Sequence, residues 1–110
     1  MRESEIEEYL VNRVKALGGE VRKVKWDGRR SAPDRVVMMP FTHYYQGPNT
    51  VWVEVKNPET IKTFPADFRE KAQAREHARM RKAGQVVLVL GTFEQVDQHF
   101  PLRPVTGLYS

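Results

Sequence analysis

Cysteine is absent from the 110 residues of this chain. Disulfide cross-links, thiolate nucleophiles and Cys-built zinc or iron–sulfur centres are thereby excluded. No apolar run approaches the roughly 20 residues that a membrane-spanning helix needs. The opening MRESEIEEYL is acidic and lacks the apolar stretch of a signal peptide. A soluble intracellular protein with no membrane association is the expectation. The chain also lacks internal repeats, low-complexity tracts and linkers. Its length suits one domain and leaves no room for a second. The initial Met1 is what a whole gene product would show.

Hydrophobic residues make up 40% of the chain, enough for a modest core. A lone domain of this size is only moderately stable, so pairing with a second copy would help it. Lys and Arg together number 18 against 14 for Asp and Glu, a formal net charge of +4, with a pI near 9.6. That mild excess suits a polyanionic partner. A solvated surface that happens to be basic would read the same way.

Residues 4–17 are predicted to be helical, with Ser4 as the cap and Glu7 completing a capping box. Ile6, Leu10, Val14 and Leu17 recur at helical spacing, and Gly18-Gly19 closes the element. Alternation over 20–26 predicts a strand, Asp27-Gly28 a turn, and 34–39 a second strand. Residues 40–50 form a long, aromatic hairpin connection, in which Tyr44 and Tyr45 could stack on bases or a partner subunit but more simply pack the loop. VWVEVK (51–56) is the clearest strand, broken by Asn57-Pro58. A second helix spans 66–83, with Phe68, Ala72, Met80 and Ala83 on its apolar side. The continuous apolar run 85–90 suits a strand buried on both faces, and 93–99 a short helix before an irregular tail. Short loops let the first three strands pair antiparallel, and the helical crossover lets the last strand lie parallel to its neighbour.

Two pieces of this pattern carry chemistry. Pro33-Asp34 opens one strand, and Glu54-Val55-Lys56 ends the next. Residues two apart on a strand share a face, so Glu54 and Lys56 project together, while Val51, Val53 and Val55 take the other side. Burying an unpaired charge at a central strand position is costly. Two carboxylates brought together repel unless a cation separates them, and Mg²⁺ is commonly held by one or two carboxylates plus waters and phosphate oxygens. An adjacent lysine can stabilise developing negative charge or orient the attacking water. The plainer alternatives are a cross-strand ion pair on a solvated sheet face and, for Asp34, a turn residue after proline.

The helices add candidates. Glu3 and Glu7 fall on or beside the apolar face of the first helix, where either can reach the site or simply complement the helix dipole. Gln73 and His77, spaced i, i+4, share one shoulder of the second helix. Gln73 could bond a bound water or a phosphate, and His77 on its own reads as a structural or surface histidine. Lys71, Arg75, Arg79 and Lys82 could follow a phosphate backbone or form a solvated basic face.

Taken in order, ESEIEEYLV with its Gly-Gly stop, KVKWDGRRSAPDR, VWVEVKNP, Gln73 with His77 and Met80, and AGQVVLVL resemble the virus-type replication-repair nuclease (VRR-NUC) family of the PD-(D/E)xK superfamily. The resemblance implies an α/β fold with a restriction-endonuclease-like αβββαβ core, its central mixed sheet flanked by helices. Residues 1–110 would be a single domain, with the core over about 3–91 and a short helix and tail over 92–110. It implies a phosphodiester hydrolase using Mg²⁺ or Mn²⁺. Asp34, Glu54 and Val55 would supply metal ligands, Lys56 would assist catalysis and Gln73 would support the site. Glu3 or Glu7 would be the acid of the first helix. The expected partner is branched DNA such as a four-way junction, cut by a homodimer in the cytoplasm of a bacterial or phage-infected cell. A flap, end or single-strand nuclease and a non-catalytic DNA-binding module are the alternatives. One departure is visible: Ser31-Ala32 stands where the family often has glycine before Pro-Asp.

Overall fold

The apolar spacing of Ile6, Leu10 and Val14 forms the expected helix, α1, over Glu3–Ala16. The computed structural model describes residues 1–41 and 47–102, so Tyr44, Tyr45 and most of the C-terminal tail lie outside the described residues. The expected Ser4 capping box is not formed. Arg2 occupies the cap position without a side-chain hydrogen bond, and the Glu7 carboxylate instead pairs with Arg35. Acidic residues in the first turn and basic ones in the last still complement the helix dipole. Gly18 ends the helix in the left-handed conformation, at φ +86°.

Four strands follow in one sheet: β1 (Glu20–Lys23), β2 (Arg35–Met38), β3 (Thr50–Val55) and β4 (Val87–Leu90). They lie side by side in that order. The first three are antiparallel, and β4 runs parallel to β3. Strand β1 is shorter than the alternation over 20–26 suggests. After a last bond from Val24 N–H to the Asp34 carbonyl at 2.9 Å, the chain leaves the ladder, and the Trp26 indole donates to the Pro33 carbonyl at 2.7 Å. Strand β4 is at the sheet edge, and each of its faces carries one buried and one half-buried residue. Val87 and Leu90 are buried, whereas Leu88 and Val89 are half-buried. An apolar run cannot by itself distinguish a central strand from an edge covered by helices.

One sheet face is apolar. Val37, Val51, Val53, Val55 and Leu90 pack there with Ile6, Leu10 and Val14 of α1, with Val96 of α4 (Phe93–His99) and with Phe100. Tyr9 stacks on Phe93 with ring centroids 4.1 Å apart. Arg13 ties the two helices through Asp97 at 2.7 Å and the Phe100 carbonyl at 2.7 Å. The break expected at Asn57-Pro58 is a one-turn helix, α2 (Pro58–Ile61), closed by a capping box between Asn57 and Thr60.

The other sheet face is covered by α3 (Phe68–Lys82), capped by Asp67, whose side chain accepts from Glu70 N–H. The apolar side expected for this helix is not its buried side. Phe68 is 84% exposed, Ala83 is exposed, and Ala72 and Met80 are only half-buried. What α3 buries is Glu70, Gln73, Glu76 and His77. The reason lies in its counterpart, since the strand beneath presents Glu54 and Lys56 and a charged surface is matched by polar groups.

Gly19 joins α1 to β1 at a close approach. An added Cβ would lie 2.6 Å from the Met38 carbonyl oxygen and 2.9 Å from a Val14 methyl. Gly19→Ala is expected to destabilise the protein by about 1–3 kcal/mol, read as a lower urea midpoint. An unchanged midpoint would contradict this packing.

Candidate active site

Strand pairing brings the first two carboxylates together. Arg35 on β2 lies opposite Val53 on β3, and one further step along that register carries Asp34 to Glu54. Both line an open groove of about 590 Å³, together with Gln73, Arg30, Arg69 and Phe68. Asp34 is exposed at its mouth, whereas the Glu54 side chain is only 12% exposed. Val55 faces the other way, into the core, so its main-chain carbonyl is the only oxygen it can offer.

Lys56 is 6% exposed, and α3 meets its charge. Its Nζ donates to Gln73 Oε1 at 2.9 Å, stands 3.5 Å from a Glu70 carboxylate oxygen and lies 5.2 Å above the centre of the Phe64 ring. Glu54 and Lys56 are therefore not an ion pair on a solvated face. Gln73 accepts from the lysine through its oxygen, and its amide N–H groups can donate to a water or phosphate. Glu70 is further fixed by accepting from Ala66 N–H at 2.9 Å.

His77 is not a surface histidine. It is 1% exposed, and its Nε2 finds no hydrogen-bond partner among the described residues. That nitrogen stands 3.8 Å from Glu54 Oε1, too far for a hydrogen bond, and the ring stacks near Phe64 with centroids 6.1 Å apart. Glu70 and Glu76 belong to this buried polar layer, the half-buried Phe64 ring packs against it, and none of the three was among the residues the sequence singled out. Glu70, Gln73 and His77 recur at helical spacing opposite the ExK strand, a signal carried by polar residues.

The two acids of α1 separate. Glu7 pairs with Arg35, which also reaches Asp34 Oδ2 at 3.1 Å, so Glu7 meets the site only through that arginine. Glu3 faces the charged groups directly. Partial dehydration raises its pKa above the ordinary value, Lys56 opposes this, Glu54 and Asp34 raise it further, and Arg69 lowers it. On α3, Arg79 is turned onto Glu76 at 2.7 Å, and Glu76 also faces Arg29 at 3.6 Å. Arg79 is thus partly spent on an internal pair, whereas Lys71, Arg75 and Lys82 are exposed.

The loop before Asp34 contains one residue in a strained conformation. Ser31 adopts φ +69°, a conformation that glycine reaches freely and other residues at a cost of about 1 kcal/mol. Fully buried Pro33 and its bond from Trp26 hold the rest of the loop in place.

The donor set is oxygen-rich: two carboxylates and a main-chain carbonyl, with Glu3 nearby. Among the described residues, no three His, Asp or Glu side chains gather closely enough to cage an ion unaided. Such a set fits a hard divalent cation that keeps several waters and shares phosphate oxygens. It does not fit a closed structural zinc site.

No family model matches the chain. A protein named "Putative nuclease p44", from Acyrthosiphon pisum secondary endosymbiont phage 1, is 37% identical over 90 residues, which are 82% of this chain and 83% of that protein. A solved structure described as "VRR_NUC domain" is similar at TM-score 0.66 and 38% identity, covering 87% of this chain and 90% of that one.

A carboxyl whose pKa is raised by folding binds protons more tightly in the folded chain. Wild type should therefore lose stability relative to Glu3→Gln as pH rises through the window that starts near the ordinary value of 4.5. In buffer containing EDTA, urea unfolding is expected to show Glu3→Gln more stable than wild type at pH 7, with the difference closing in acid. The reverse order at pH 7 would contradict the partial burial of Glu3 beside the acids of this site.

Proposed function

Since this chain belongs to the VRR-NUC family of nucleases, we propose that it is a divalent-metal-dependent DNA endonuclease whose active site is built on Asp34, Glu54 and Lys56. The observation that carries this reading is the buried ammonium of Lys56, fixed by Gln73 and Glu70 beside two carboxylates that line an open groove. The carboxylates of Asp34 and Glu54 and the carbonyl of Val55 would hold Mg²⁺ or Mn²⁺. When bound, such an ion supplies a Lewis acid for the phosphoryl oxygens and lowers the pKa of a water.

The remaining roles fall to the chain itself. Lys56 is positioned before substrate arrives, so its charge needs no reorganisation as negative charge grows on the phosphoryl oxygens. Gln73 and Glu70 restrain it, and the Phe64 ring limits water around it. Arg35 orients Asp34 while neutralising Glu7, and Glu3 supplies additional negative charge that favours a cation. Arg30 and Arg69 give the groove two cations for the phosphate backbone.

We place the substrate among branched DNAs, cut by a homodimer whose two-fold symmetry would match that of a four-way junction. The phage origin of a relative supports action in the cytoplasm of a bacterial or phage-infected cell. No helix among the described residues is long and apolar enough to cross a membrane.

Linear, flapped and four-way DNA, each with Mg²⁺, Mn²⁺ or EDTA, provide the test. Wild type is expected to cut only with a divalent ion and to prefer the four-way substrate. Asp34→Asn and Lys56→Met are expected to lose about 10²-fold or more in rate, with circular dichroism showing that each remains folded. If both variants cut at the wild-type rate, the assigned site is wrong. Binding without cleavage under any divalent ion would favour a DNA-binding module instead.

A further inference from the structure

Phe68 is 84% exposed. It is the first residue of α3, directly after the Asp67 cap, and its ring lines the same groove as Asp34 and Glu54. Ala72, one helical turn further on, also lines the groove. Arg69 and Arg30 give this part of the groove positive charge. A large apolar side chain left in water gains nothing for the fold, and α3 packs on the sheet through its polar residues without it.

We propose that Phe68 is a stacking platform for an unpaired nucleobase next to the phosphate that is cut, with Arg69 and Arg30 holding the flanking backbone. An exposed aromatic flanked by arginines is the combination that binds single-stranded nucleic acid, because every base presents a π-face whatever its sequence. Bases inside an intact duplex are hidden in the stack and become available only where pairing is lost or a nucleotide is extruded. The ring therefore selects DNA with a splayed or unpaired nucleotide at the cut, as at a gap, a flap or a branch point, over continuous duplex. This inference rests on the nuclease reading for the phrase "at the cut", but the stack itself is a binding property.

Two oligonucleotide substrates test it, each carrying 2-aminopurine, once opposite a gap and once in continuous duplex. Binding is measured in EDTA, and cleavage is measured separately in Mg²⁺. Wild type is expected to quench the unpaired 2-aminopurine. Phe68→Ala is expected to abolish that quenching and to weaken binding of the gapped DNA about 10-fold, within the range of one base–aromatic stack. Its affinity for continuous duplex should be unchanged, and Phe68→Trp should retain the quenching. The ring is exposed, so urea unfolding should give the same midpoint for Phe68→Ala as for wild type.

The stack is overturned if Phe68→Ala leaves quenching and affinity intact or weakens both DNAs equally. It is also overturned if the substitution changes only the sedimenting mass, since the ring would then be covered by a second copy. Wild type that quenches and binds but never cuts would contradict the nuclease reading and leave the stack standing. Wild type that cuts without quenching would sink the stack alone.

Discussion

The arrangement depends on the burial of charge between β3 and α3. Glu54 and Lys56 project from a central strand into a layer closed by Glu70, Gln73, Glu76 and His77. Removing charges from water is costly unless they are paired and hydrogen-bonded. Lys56 meets that requirement through Gln73 and Glu70. Glu54 meets it less well, with an imidazole nitrogen 3.8 Å away, and the neighbouring Asp34 and Glu3 add like charge. The groove is lined by the two carboxylates of Asp34 and Glu54 and by the guanidiniums of Arg30 and Arg69, and the cation in our proposal would offset the repulsion between the two carboxylates.

The opposite sheet face makes such an arrangement affordable. Val51, Val53 and Val55 alternate with Trp52, Glu54 and Lys56, so the strand that carries the charges is anchored by an apolar core on its other side. Helices α1 and α4 complete that core and are joined by Tyr9, Arg13 and Asp97. Helix α3 has little apolar surface to bury, and its seat on the sheet is largely polar. Phe68, at the start of this helix, is left exposed at the groove.

Much of this was legible because alternation is a short-range signal. VWVEVK states in six residues which side chains face the core and which do not, and Pro33-Asp34 at the start of the preceding strand follows from pairing alone. The element order and the mixed sheet were equally readable from glycine stops and turn residues. Periodicity counted on apolar residues failed for α3, because the groups at the buried spacing are polar and Phe68 points to water. Glu3 and Glu7 could not be separated within their own helix, since the deciding partner, Arg35, is on β2. The edge position of β4 was hidden for a similar reason: a run of Val and Leu reports burial, not the number of neighbouring strands. The left-handed conformation of Ser31 was not legible either, because serine carries no signal for a positive φ.

Diffraction from a crystal soaked in manganese, with data collected at the manganese edge, tests the assembly of these groups around one dication most directly. An anomalous peak is expected between the carboxylates of Asp34 and Glu54, within reach of the Val55 carbonyl. A crystal with manganese bound elsewhere and none at this position, or with these oxygens held beyond ligating distance, would contradict it.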